Sequence, residues 1–232
     1  MAVQENEDMQ AQLLAAALPH VAFDGWSETS LRAACQDLSI TRQMAALACP
    51  RGAIDLAIRF HHDGDEAMQV VLQKTDINAM KIREKITFSV RVRLDAIRDK
   101  EAVRRGATLM ALPQHAAEGA GLVWGTCDRI WAAIGDSSAD VNWYTKRLTL
   151  SSVYSATVLY WLGDNSPNHQ DTWTFLDRRI ENVMQFEKFK AQVNANPLAK
   201  QLLAGPNWLL SKIKAPSGVP TVDLPGNWSR RS

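Results

Sequence analysis

The residues able to do chemistry are few and scattered. His61 and His62 stand beside Asp63 and Asp65, but adjacent side chains on a helix point apart, so the group reads as a solvated polar face and not as a ligand set. His20, His115 and His169 lie singly. Cys35, Cys49 and Cys127 have no CxxC spacing and no histidine a short metal-binding step away, which marks them as reduced thiols of a core. GxGxxG, phosphate-loop, HExxH, GxSxG and ExxH patterns are absent from the sequence. Nucleotide binding, zinc hydrolysis, acyl transfer and di-iron chemistry therefore each lack their groups. The expectation is a protein that is not an enzyme, with no catalytic residue, no metal ligand and no cofactor.

Composition narrows the classes further. Lys and Arg number 26 against 25 Asp and Glu, a net charge of +1 over 232 residues, which excludes a strongly basic nucleic-acid binder and an acidic disordered chain. With 46% hydrophobic residues, the length suits one good core plus a smaller unit. Met1 to Gln10 carries Glu5, Glu7 and Asp8 and no base, so neither a signal nor a transit peptide is expected there. No apolar run reaches the roughly 20 residues of a spanning helix.

Whatever positions the eight tryptophans must be helical. Long proline-free intervals carry apolar residues three and four apart, which predicts an all-α protein. Residues 86–94 alternate as a strand would, yet Ile82, Ile86, Val90 and Leu94 also step by four with no turn signal at either flank, so 79–98 reads as helix. The other predicted helices are Met9–Ala17 stopped near Pro19, Ser27–Leu38 capped by Ser27, Ile40–Leu47 capped by Ser39, and Gly52 to Val71 with Gly64 as a weak point. Then come 100–112, 114–134, 142–162, 171–193 and a last helix from Asn196-Pro197. The domain reading is a three-helix unit over 1–50, a bundle over 51–193, an amphipathic helix over 194–215 and a disordered tail over 216–232.

Four stretches carry information. The order Gly25-Trp26, Leu31, Ala34, Leu38-Ser39-Ile40 is similar to the amino-terminal helix-turn-helix of TetR-type regulators. Its third helix offers only Arg42 and Gln43 to bases or phosphates, so a unit that merely packs is the reading preferred over one that reads DNA. Asp136 to Arg147 starts a helix with two adjacent aromatics, Trp143 and Tyr144; one should be exposed or at an interface, or both cap the core. The helix they start, through Val153, Tyr154, Val158 and Trp161, is apolar nearly all round, as in the middle of a bundle or at a subunit interface. Such a bundle can house an apolar ligand or be a plain core. Finally, Lys188 to Ser232 holds five Lys and two Arg against one Asp, with Leu198, Leu202, Leu209 and Ile213 at helical spacing and Trp208 beside them. That segment can lie on an anionic membrane or pack back on its own bundle.

The run Gly135 to Arg147, with Asp164-Asn165-Ser166-Pro167, Asp171 to Leu176 and Arg178 to Asn182, resembles the coenzyme Q (ubiquinone) biosynthesis accessory protein family, the ninth-numbered Coq proteins. The likeness covers about residues 10–213 and departs at Arg129 and at the Gly205-Pro206 kink.

The resemblance implies a TetR-like helical bundle with a degenerate helix-turn-helix unit, a homodimer, and no nucleic acid as partner. It implies a lipid-binding accessory protein that takes isoprenoid quinone or phospholipid in an apolar cavity and presents quinone intermediates to the pathway's di-iron quinone hydroxylase. The implied lipid-binding residues are Leu109, Leu112, Tyr154, Val158 and Trp161. The implied hydroxylase contacts are Asp128, Ile130, Trp131, Trp143, Tyr144 and Arg147, and the implied membrane contacts are Leu202, Trp208, Leu209, Lys212 and Ile213. A bacterial, cytoplasmic protein peripheral to the inner membrane is expected. The alternative is a TetR-type ligand-responsive transcription regulator that binds DNA.

Overall fold

A computed structural model describes residues 2–195, with side chains over 5–186; the predicted amphipathic helix, the tail and the five membrane residues Leu202, Trp208, Leu209, Lys212 and Ile213 lie outside the described residues. Every regular element described is helical. In order they are α1 (Ala2–Asp24), α2 (Glu28–Asp37), α3 (Arg42–Ala48), α4 (Ala53–Lys74), α5 (Ile82–Asp95), α6 (Lys100–Met110), α7 (Ala116–Ala133), α8 (Val141–Gly163), a 3-10 turn (Pro167–His169) and α9 (Gln170–Ala195).

Pro19 does not stop the first helix: α1 continues through it to Asp24. Leu13, Leu14, Ala17 and Val21 are buried on both sides of the proline, and this packing outweighs the single lost backbone bond. The helix ends at Gly25, whose φ of +67° suits glycine and whose N–H closes on the Val21 carbonyl at 2.9 Å. Ser27 and Ser30 form the reciprocal cap of α2. The cap of α3 is Thr41 and not Ser39; Ser39 instead takes the left-handed φ of +53° that turns the chain between the two helices. The contested segment is helix, as α5, because its four-residue step gives Val90 and Leu94 one buried face. Nor is Gly64 a weak point, since α4 runs unbroken past it.

Among the described residues two apolar clusters form the interior. Leu13, Val21, Trp26, Leu31 and Ala34 gather with Leu56 of α4 and Ala102 of α6. Met68 and Leu72, further along α4, join Leu94, Ile130, Tyr154, Trp161 and Leu176 in the second. Helix α4 thus serves both. The Trp26 indole donates to the Ala102 carbonyl at 3.0 Å and ties the first unit to α6.

Candidate functional site

Between the two clusters α4, α6, α7 and α8 leave a cavity of about 600 Å³, within the size range of small-molecule sites. It persists because small residues face it: Gly106 and Ala107 on α6, Ala111 beyond its end, and Gly119 and Ala120 at the start of α7. On α6 the residues facing it, Ala102, Val103, Gly106, Ala107 and Met110, follow helical spacing. Leu148 and Leu159 of α8 line it while 65% and 66% exposed, so its rim is apolar.

One side of the wall is polar. Asp65 is fully buried and accepts from Arg93 Nε at 2.6 Å, Arg129 Nη1 at 2.7 Å and Thr126 Oγ1 at 2.9 Å. Arg93 also donates to the His61 carbonyl at 2.9 Å, and both residues line the cavity. Burial, and next the Arg93 charge, bring the His61 imidazole down to about 4, so it is neutral at physiological pH. The expected solvated face around His61 and Asp65 is therefore corrected: their helix turns that face inward, where two guanidinium groups compensate the carboxylate. Tyr154 and Ser151 of α8 complete this side.

Tyr154 and Val158, expected at the ligand, line the cavity. Leu109, Leu112 and Trp161 do not line it, which corrects their placement. Leu109 falls off the Val103–Met110 face and packs on the first cluster, Leu112 is 41% exposed, and Trp161 is buried in the second cluster under Lys100 and against His169. Phe60, Arg93 and Trp124 were not singled out from sequence, and His61 was read only as part of a polar face; the density of Gly and Ala over 102–121 was the available signal for a hollow here.

The second feature lies beside the first. Arg147, 3% exposed, sits at the start of α8 and donates to Asp128 at 2.6 Å, to Asp136 at 3.1 Å and to the Trp143 carbonyl at 3.0 Å. Its guanidinium lies 3.9 Å from the Trp143 ring centre. Trp143 and Tyr144 meet edge to face at 4.8 Å, and both contact Trp124 of α7, at 5.9 and 6.4 Å. Each is half-buried, so neither is a bare surface aromatic. Ile130, Trp131 and Arg147 are buried; as direct contacts they are corrected to supports, because their side chains face the second cluster or the Asp128–Asp136 pair. Asp128, with a side chain 46% exposed, stays on the surface with the aromatic edges. Cys35, Cys49 and Cys127 are free and buried.

The helical arrangement is that of TetR-like proteins. It is similar to the crystal structure of a TetR transcriptional regulator from Nitrosomonas europaea with TM-score 0.62 and 18% identity, covering 75% of this chain and 97% of that one. Residues 116–187 match the COQ9 family model, and the likeness to that family legible in the motifs holds. The chain is 29% identical over 206 residues to the mitochondrial ubiquinone biosynthesis protein COQ9 of Rattus norvegicus, covering 83% of this chain and 64% of that protein. The protein of the same name from Drosophila melanogaster is 30% identical over 189 residues, with 79% and 58% covered, and that from Homo sapiens 27% over 206, with 83% and 63% covered. The chain thus spans about three fifths of the length of these relatives.

Proposed function

We propose that the protein is a non-enzymatic accessory factor of ubiquinone biosynthesis that binds an isoprenoid quinone intermediate and presents it to the pathway's hydroxylase. The cavity of about 600 Å³ with its rim of exposed leucines carries this reading. At about 25 cal/mol per Å² of apolar area, even partial uptake of an isoprenoid tail is favourable by several kcal/mol. The names of the relatives supply the pathway.

The aromatic edges of Trp143 and Tyr144 with Asp128 are the proposed partner contact, braced from beneath by Arg147. Exposed Phe186, with Tyr160 stacked on Phe175 at 4.5 Å, offers an apolar face for a second copy. No helix among the described residues is long and apolar enough to cross a membrane, and the proposed membrane contact is peripheral, through Leu202, Trp208, Leu209, Lys212 and Ile213. The proposed setting stays the bacterial inner membrane. Regulator function has less support, because Arg42 of α3 is paired with Glu28 and the exposed hydrophobics of that helix are Met44 and Leu47.

Native mass spectrometry and organic extraction of the purified protein test the reading. Co-purified quinone precursor, or uptake of added quinone, is expected. A lipid-free protein that ignores quinone analogues overturns it.

A further inference from the structure

We propose that the groove between α5 and α9 is the resting dock of this chain's own carboxy-terminal segment, residues 196–232, and that docking withholds the segment from other surfaces. The dock stands on the groove and the sequence. Its competition with a membrane rests on the peripheral contact proposed above.

The groove is a second hollow of about 660 Å³ that shares no lining residue with the cavity. Met80 and Phe88 form its apolar floor, both half-buried against the second cluster. Helix α9 runs antiparallel beside it: Trp173 meets Arg91, Asp177 meets Thr87 and Glu181 meets Arg83. The chain therefore travels along the groove toward its Met80 end and continues beyond it to Ala195. From Glu181 to that residue is about 21 Å of helix, whereas residues 196–215 cover about 65 Å when extended. The segment can reach back into the groove with chain to spare.

Charge selects the same occupant. Arg83 is held by Glu181 at 2.7 Å, and Arg91 lies 3.6 Å from Asp95 and over the Trp173 ring. The two carboxylates that line the groove are not matched in this way. Glu84 accepts the Lys81 backbone N–H at 2.8 Å and Asp177 accepts the Thr87 hydroxyl at 3.4 Å, and neither is ion-paired among the described residues. Residues 196–232 carry Lys200, Lys212, Lys214, Arg230 and Arg231 against Asp223, with Leu202, Trp208, Leu209 and Ile213 among the lysines. Apolar side chains for the floor and ammonium groups for Glu84 and Asp177 thus arrive in one stretch. Exposed ion pairs are individually weak, but the covalent tether supplies an effective concentration on the order of millimolar. A separate basic peptide has the same chemistry without that advantage.

The test is zero-length carbodiimide cross-linking of the full chain, with light and 15N-labelled chains refolded together and the linked peptides read by mass spectrometry. Links from Glu84 or Asp177 to Lys200, Lys212 or Lys214, confined to pairs of one label, are expected. Absence of such links overturns the dock, and mixed-label pairs overturn it in favour of a second copy. Vesicles of phosphatidylcholine and phosphatidylglycerol should lower the link yield by about threefold or more. Glu84→Gln with Asp177→Asn should bind those vesicles about threefold more tightly than Asp24→Asn with Glu66→Gln, which makes the same change of charge elsewhere. Undiminished links, or equal vesicle affinity of the two double variants, overturn the withholding. If the links form and no variant binds vesicles, the membrane reading falls and the dock stands.

Discussion

The guanidinium of Arg93 rests against the backbone of Gly64: a Cβ built at position 64 would stand 2.5 Å from Nη1 and 2.6 Å from Cζ. Glycine here gives the arginine room to reach Asp65, one residue further along α4, and the His61 carbonyl, three residues back. Gly64→Ala should therefore destabilise the fold by about 2–4 kcal/mol, since it drives a buried cation off its carboxylate. Gly121→Ala is the control: nothing lies within 4 Å of its Cβ, and the helix preference of alanine should stabilise α7 by up to about 1 kcal/mol. Chemical denaturation of both variants checks the pair, and an equal response would refute the steric account.

Acid should loosen the Asp136 staple. Burial disfavours this carboxylate, but hydrogen bonds from Lys146, Ser138 and Arg147 prevail and hold it down to about 2. A carboxyl depressed in the folded state contributes stability that is present above its unfolded value and lost as pH falls through the folded one. The contribution, about 2 kcal/mol for a side chain so enclosed, should disappear between about pH 4 and pH 2. Asp136→Asn should be less stable at neutral pH and show a shallower decline in that window when urea midpoints are measured against pH.

A different group governs milder acid. Because burial and Arg93 depress His61 to about 4, the unfolded chain takes up a proton from about pH 6.5 downward while the folded one resists. Stability should fall as pH drops from about 6.5 to about 4. His61→Gln should flatten that part of the profile, and a proton resonance of His61 that titrates near 6.5 in the native protein would contradict the burial argument.

Trp143→Ala should lower stability by about 1–2 kcal/mol, since it removes the ring beneath Arg147 and one of two aromatic neighbours of Trp124. In a chain of this size that is a fall in Tm of a few degrees. A loss several times larger would place Trp143 in the core proper. If the proposed partner contact holds, capture of the pathway's hydroxylase by the still-folded variant should be lost, and capture at the level of the unaltered protein would refute that contact.

The thiols should be inert. Burial pushes Cys49 up to about 11 and Cys127 up to about 12, and raises Cys35 as well. At pH 8 a disulfide reagent should find almost no fast-reacting thiol in the native protein and three after denaturation.

Helix type and order were legible because periodicity survives in a single sequence. The step of four from Ile82 to Leu94 outweighed the alternation between those residues, and the structure shows why: one face of α5 is buried and the other is wet. Pro19 misled, because the depth at which Val21 packs is a tertiary fact invisible to local signals. At the site, the all-round apolar pattern of α8 marked a helix in the middle of the bundle, and Tyr154 and Val158 on it line the cavity while Trp161 does not. The inward turn of His61 and Asp65 was not, since their cations come from positions 93 and 129, far along the chain. Ile130, Trp131 and Arg147 have the residue types of contact residues, and only their burial shows that they act from behind.

Trp124 has one foot in each compartment: its indole belongs to the lining of the hollow and also to the cluster with Trp143 and Tyr144. A shift of that one ring, pressed from the hollow or drawn by the aromatic pair, is therefore felt on the other side.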